Sequence, residues 1–525
     1  MAFDNMSTVI NSAVYYGSVF LAAQSTTVSE LELPESIYTS NLPLVQVYFH
    51  RLSKFPGPAS RAAFYFPEFF HIFLGDSHTT TRQLHEQYGE VVRIVPDGLT
   101  FTSEKAWIDI YGTKANKRQL EKDRDFFVDA PTDVYSIIHS PDADHDRIRK
   151  QVSYAFSGTA LREHEPLMKQ YFDLLVHKFK QQIDDSPGKG RVDVTQWFNF
   201  TAFDIVSRLT LNDCFNLLEQ ERFNFWTEQI FKGIKLLRFL RVIRRYPVLW
   251  YPFDTLFRAF PKLQGVRNAH MNFAISRSEE RLQRGSDIKD FLSYITREND
   301  EKQQPTMTRD EVNLTAAVIL IAGSETSATV LCGAAYNLAR NPDVKKKAQA
   351  EVRAAFKSDE DITLASLPRL RYLSAVIEES LRCFPAVPGT FPRRTGPEGD
   401  TIAGRYVPAD ISVGVHQWST YYSPSHFHNP EIFAPERWLP DPPSEYKNDK
   451  LGCVQPFHVG PRNCVGKNLA YLTIRSVLAR LLWHFDWELC EESVGWHDQR
   501  SFILWDKPPL WLKISHKDDD GGDVE

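Results

Sequence analysis

The 525-residue sequence has no excess of basic charge. Its 61 Lys and Arg stand against 67 Asp and Glu, a formal net charge of −6. A broadly basic surface is therefore excluded, and no nucleic-acid partner is expected. Cysteine is scarce, with six in the whole chain. They are too few and too scattered for a disulfide framework and read as thiols of a reducing compartment. No Gly/Ser linker, low-complexity tract or internal repeat interrupts residues 60–510. Length alone argues for about three domains, but the missing linkers argue for one, over 51–515. Convincing membrane-spanning character is also lacking at the N-terminus. Val9–Ala23 is interrupted by Asn11, Ser12, Gly17 and Ser18, whereas a span needs about 20 mostly apolar residues. No basic residue precedes it, as a secretory signal would require. Residues 1–50 read as a leader with a weak membrane-associating segment, and 516–525 as an acidic disordered tail.

What is present is a globular composition, 42% hydrophobic and 24% charged. Phe55-Pro56-Gly57-Pro58 forms a stiff hinge. Residues 90–102 predict two short strands joined at Pro96-Asp97-Gly98. Helix-period apolar residues dominate 145–385, strand signals return at 387–415, and a helix is predicted over Asn468–His484. Leu314–Ala322 is apolar enough for a span, but Glu325 follows within the same run, so a buried core helix is expected. The sequons at Asn199 and Asn313 fall in helix-like core segments and read as chance.

The chemistry concentrates in Phe457-His458-Val459-Gly460-Pro461-Arg462-Asn463-Cys464-Val465-Gly466. One cysteine sits in a tight turn just ahead of a helix, whose N-terminus favours an anion, so Cys464 is placed to be a thiolate. Glycines on either side admit something large and flat, and Arg462 offers a charged fork for a carboxylate. A haem iron ligand needs such a thiolate. A phosphate-binding loop is disfavoured: five residues separate Gly460 from Gly466, and Asn468 stands where Ser or Thr is required. Cys453, His458 and Cys464 make at most half a zinc site, with no second pair to complete it.

The segment matches FxxGxRxCxG, the cysteine-ligand signature of cytochrome P450 monooxygenases. Ala322-Gly323-Ser324-Glu325-Thr326 resembles the family's oxygen-activating stretch, Glu379-Ser380-Leu381-Arg382 its ExxR motif and Phe433-Ala434-Pro435-Glu436-Arg437-Trp438 its PERF-type motif. The resemblance runs from about Phe55 to Lys513 and is strongest to fungal secondary-metabolite members, of the isotrichodermin-hydroxylase type. It implies a mainly α fold with a small β-rich lobe and haem b (iron protoporphyrin IX) between two helices.

The resemblance also implies roles. Cys464 is the iron ligand. Glu325 and Thr326 are the catalytic acid–alcohol pair, beside Gly323, which clears space for the cofactor. Glu379 and Arg382 pair with Arg437 and brace the cysteine loop. Arg149, Arg393 and Arg462 hold the propionates, with His145 at the position of the family's usual tryptophan and Arg394 the runner-up to Arg393. Phe457, Gly460 and Gly466 contact the cofactor, Phe457 keeping the thiolate dry.

The expected reaction inserts one oxygen atom of O2 into a lipophilic substrate, a terpenoid or polyketide intermediate. No glycine-rich dinucleotide motif occurs, so electrons are expected from NADPH through a separate NADPH–cytochrome P450 reductase. Residues 223–253 are basic and aromatic, as suits a helix on an anionic membrane. The implied location is the cytosolic face of the endoplasmic reticulum membrane. Substrate contacts are expected from Phe126, Phe127, residues 223–253, Ile319–Gly323 and Ala386–Thr390. Two rivals are a haem-thiolate isomerase or dehydratase that uses no O2, and a non-catalytic haem- or lipophile-binding protein.

Overall fold

Thr308 starts the longest helix, Arg309–Arg340. Its side chain caps the backbone of Glu311, and Glu311 caps Thr308 in return, satisfying two orphan N–H groups at once. The 32 residues make a rod about 48 Å long. Most of its side chains are buried, which explains its apolar composition: it is a core helix, as expected, and not a span. Val194–Leu211 packs along it, and Pro261–Gln283, Arg371–Cys383 and Lys467–His484 pack around it.

The computed structural model describes residues 43–113, 119–127, 134–185, 190–223, 243, 246–259, 261–285, 289–296 and 307–517. Most of the leader, nearly all of 223–245 and the last residues of the tail lie outside these, and with them most of the basic aromatic segment.

The β-rich lobe is a five-stranded sheet. Val91–Val95 pairs antiparallel with Gly98–Phe101, the hairpin expected at Pro96-Asp97-Gly98. Gly98–Phe101 runs parallel to Ser412–Val415. Arg393–Arg394 then lies antiparallel to Ser412–Val415, and Glu121–Lys122 closes the sheet with Lys122 opposite Arg393. A small core of its own, including Val91, Leu99, Phe101, Trp107, Tyr111 and Val413, lies beneath it. A second sheet joins Trp511–His516 to Arg191–Asp193 and Phe485–Leu489.

Both expected boundaries move outward. Pro43–Tyr48 is helical with Val45 buried, and Arg93 Nη1 donates to Gln46 O at 2.9 Å. The folded body thus begins before residue 51, because a buried arginine needs that carbonyl. At the other end His516 is still in a strand, opposite Phe485. Asn199 and Asn313 are buried within helices, so neither is open to glycosylation.

Candidate active site

The cysteine loop is held by its own backbone. Cys464 N donates to Phe457 O at 2.8 Å and Asn463 N to Gly460 O at 3.1 Å. Gly460 has φ +78°, and a Cβ there would lie 1.9 Å from Tyr111 O. The absent side chain permits this close approach of two backbones, which only glycine allows. At Gly466 a Cβ would meet only Phe156 at 3.7 Å and Cys464 Sγ at 3.9 Å, so no side chain crowds the sulfur there. The Phe457 ring packs tilted against Tyr471, centroids 5.0 Å apart, anchoring the loop to helix Lys467–His484.

Cys464 is exposed, yet its surroundings are dense enough to push the thiol up from its ordinary value. The two facts agree if the exposure is toward an internal hollow. The Gly466 N–H, Arg149 and Lys467 oppose the burial without outweighing it. A bound metal favours the deprotonated form of such a thiol. Arg149 donates to Asn463 O at 2.6 Å and to Asn463 Oδ1 at 2.7 Å. The structure places it as a strap on the residue before Cys464.

A cationic group lies at the edge of the five-stranded sheet. Arg393 is buried, and its Nε and Nη1 have no hydrogen-bond partner. Burial and the nearby Arg462 lower its guanidinium to about 10. Arg462 uses Nε and Nη2 on Asp142 Oδ1 (3.2 and 2.7 Å) and donates to Ser140 O at 2.9 Å. Its Nη1 is buried without a partner. His145 is buried and stays neutral down to about 4, through burial and then Arg462. Lys122 belongs here too, lowered well below its ordinary value by burial, then by Arg393 and Arg462. Sequence reasoning missed Lys122, which only strand pairing brings beside Arg393. Arg394, by contrast, is surrounded by Asp97, Asp123, Asp125 and Asp410 at 3.2–3.4 Å. Three buried guanidinium nitrogens without acceptors are costly unless an anion completes them. They fit a ligand bearing two carboxylates, as haem does.

The acid and the alcohol of the central helix are separate. Thr326 Oγ1 donates to Ala322 O at 2.6 Å, and Ala322 is exposed in the middle of an otherwise buried helix. Ile321, Gly323 and Thr326 beside it are half-buried, so this face of the helix is not fully packed against protein. Glu325 is 1% exposed and is ion-paired through Oε1 to Lys507 Nζ. Lys507 also donates to Thr329 Oγ1 at 2.7 Å. Glu325 and Thr326 are not hydrogen-bonded to each other, since neighbouring helix positions point about 100° apart. At Gly323 a Cβ would meet the Val206 side chain at 3.1 Å, so the missing side chain serves helix–helix packing.

Glu379, Arg382 and Arg437 form one buried network. Glu379 accepts from Arg382 Nη2 at 2.7 Å and Nε at 2.8 Å. It also accepts from Arg437 Nε at 3.1 Å, Ala434 N at 2.9 Å and Trp438 Nε1 at 2.9 Å. Arg382 donates on to Tyr421 O and Pro430 O. Tyr421 in turn receives the Gln455 N–H at 2.9 Å, which links this network to the start of the cysteine loop.

A family model for cytochrome P450 matches residues 58–514. The chain belongs to the cytochrome P450 family. This P450 is 38% identical to the cytochrome P450 monooxygenase astJ of Aspergillus oryzae, over 93% of this chain and 96% of that one. It is 37% identical to efuB of Hormonema carpetanum, covering 89% and 92%, and 38% identical to lcsI of Purpureocillium lilacinum, covering 90% of each. It is an oxidoreductase of the monooxygenase type. As a P450 it uses a haem iron, electrons from a redox partner, O2 and a substrate.

Proposed function

We propose that this P450 hydroxylates a lipophilic natural-product intermediate of the terpenoid or polyketide class, with NADPH-derived electrons from a separate reductase. The reading rests on one observation: within the cysteine loop and the central helix, Cys464 and Ala322 are exposed and Thr326 is half-buried, as residues flanking a cofactor site would be. In the reaction one oxygen atom enters a C–H bond, the other leaves as water, and two electrons and two protons are consumed.

Cys464 would supply the thiolate ligand, and Arg393, Arg462, Lys122 and His145 would hold the propionates. Bound haem supplies the iron at which O2 is reduced, and a thiolate ligand favours O–O cleavage. Thr326 keeps acceptor capacity on its hydroxyl and can hold a water at the hollow. Glu325 is the acid nearest in sequence that can supply its protons.

Substrate class is argued from a cavity of about 250 Å³ in the β-rich lobe, lined by Tyr65, Phe69, Phe126, Val387 and Phe502 among others. Phe126 and, from the expected segment Ala386–Thr390, Val387, Gly389 and Thr390 line it. Helix Phe66–Leu74 presents Phe66, Phe70, Phe73 and Leu74 outward, while Phe69 and Ile72 face the cavity. Such a helix suits the boundary of a lipid surface. It supports a membrane-bound enzyme on the cytosolic face of the endoplasmic reticulum that takes substrate from the lipid.

The first test is the CO difference spectrum of the reduced protein beside Cys464→Ser. A strongly red-shifted Soret band lost in the variant is expected, and its absence in haem-replete wild type would overturn the ligand assignment. Reductase-driven NADPH consumption that rises with lipophilic substrates would follow. Thr326→Ala separates the rivals: peroxide release rising at the expense of product supports O2 use, whereas unchanged turnover points to an isomerase or dehydratase. No NADPH consumption with any lipophile points to a binding protein.

A further inference from the structure

Lys507 is the group that the reaction scheme leaves unused. It lies between the strands Leu504–Trp505 and Trp511–His516, and its neighbours Asp506, Pro508 and Pro509 are exposed. Its own side chain is only 3% exposed. The lysine is thus inserted from the surface into the flank of the central helix, where it meets Glu325 Oε1 and Thr329 Oγ1. The turn that carries it is fixed. Pro508 O accepts from Thr195 Oγ1 at 3.1 Å and Trp496 Nε1 at 3.0 Å, and Trp505 Nε1 donates to Pro385 O at 2.7 Å.

As a strut alone this arrangement is poor. A buried ion pair seldom repays its desolvation, and here Glu325 Oε2 is left buried with no partner. That second oxygen is the one free to take up or give a proton. The ammonium meanwhile opposes the burial that raises the Glu325 carboxyl. Cys332 on the same helix is a further titratable group close to the pair, with Asp193 beyond it on a neighbouring element.

We infer that Lys507 is a positioning residue for proton delivery: it holds Glu325 ionised through one carboxylate oxygen and leaves the other to relay protons toward the Thr326 side of the hollow. The inference rests on the monooxygenase reading, in which Glu325 feeds protons to Thr326. In each relay cycle an O–H bond forms at Glu325 Oε2 with a proton from water and breaks as the proton passes to a water on Thr326. No electrons move. Without the ammonium, the acid would stay protonated to higher pH and lose its fixed orientation.

The test compares wild type with Lys507→Met, Lys507→Arg and the double variant Lys507→Met/Glu325→Gln. Infrared difference spectra across a pH titration read the carboxyl directly and need no turnover. Lys507→Met is expected to show a protonated-carboxyl band at neutral pH that wild type and the double variant lack. The pH dependence of the ratio of product to peroxide should move alkaline by at least about one unit, with Lys507→Arg restoring most of it. No new band and an unchanged pH profile, with only a lower melting temperature, would overturn the proposal and leave Lys507 a structural strut. If wild type consumes no NADPH, the monooxygenase reading fails, whereas the infrared result still decides what Lys507 does to Glu325.

Discussion

Arg437 Nε lies 3.1 Å from Glu379 Oε1, and neither side chain has any exposure to solvent. Arg382 shares the same carboxylate oxygen at 2.7 Å. Removing any one of the three leaves buried charge uncompensated, at a cost of about 3–5 kcal/mol. Glu379→Ala and Arg437→Ala are expected to give little folded, haem-retaining protein. Arg382→Lys should fail as well, because a lysine cannot supply the fork that spans both Glu379 oxygens. Soret absorbance per unit of purified protein checks this. Normal haem content in any of the three would remove the network from the support of the cysteine loop.

Arg393 should behave in the opposite sense. Its two unpartnered guanidinium nitrogens burden the haem-free protein, by about 1–3 kcal/mol for an unsatisfied buried group. Arg393→Leu is expected to leave haem-free stability equal or higher in urea, while haem affinity falls about tenfold, as one lost charge-assisted bond implies. Titrating haem into haem-free protein measures the second quantity. A loss of stability with unchanged affinity would make Arg393 a core residue and no anion partner.

Buried histidines set the acid limit of stability. His50, His78 and His85 are each lowered from 6.5 to about 4, with burial the largest cause. Between those values the unfolded chain binds protons that the folded chain refuses. Their contribution is complete above about 6.5 and is lost as pH falls toward 4, each histidine adding up to about 1.4 kcal/mol per pH unit to the slope. Urea midpoints at pH 7.5, 6.0 and 5.0 should fall steadily, and His85→Gln should flatten the fall. Equal slopes in variant and wild type would show that His85 does not titrate on unfolding.

The outward aromatics of helix Phe66–Leu74 give a separate expectation. Replacing Phe66, Phe70 and Phe73 together by Ser should reduce flotation with phospholipid vesicles several-fold. The CO difference spectrum should stay intact, since these side chains are already 47–64% exposed and add little to the core. Unchanged flotation would shift membrane contact to another surface.

The parts legible in sequence were those written locally. Glu379 and Arg382 stand at i,i+3 on one helix face, and Cys464 with its glycines forms a contiguous run, so both could be read without the fold. Lys122, Lys507 and Asn463 could not. Their partners are brought together by strand pairing or by contacts across the chain, as with the 182 residues that separate Lys507 from Glu325. Gly323 and Gly460 were identified as special positions, but sequence could not say what approaches them: Val206 and Tyr111, from other elements. The edges of the folded body moved because Gln46 accepts from Arg93, and His516 pairs with Phe485 and contacts Asp184, long-range ties that no composition shift announces.

Adjacent arginines pose a problem of ambiguity for the chain. Arg393 and Arg394 are chemically identical, and a strand that slips by one residue exchanges the side chains on its two faces. Such a slip would send Arg394 toward the cofactor and turn Arg393 outward, with no change in charge or hydrophobicity to betray the error. The four aspartates around Arg394 break that degeneracy. They come from three separate stretches of chain and can be satisfied together in only one alignment, so the acidic cage proofreads the strand and thereby decides which arginine is left without a partner of its own.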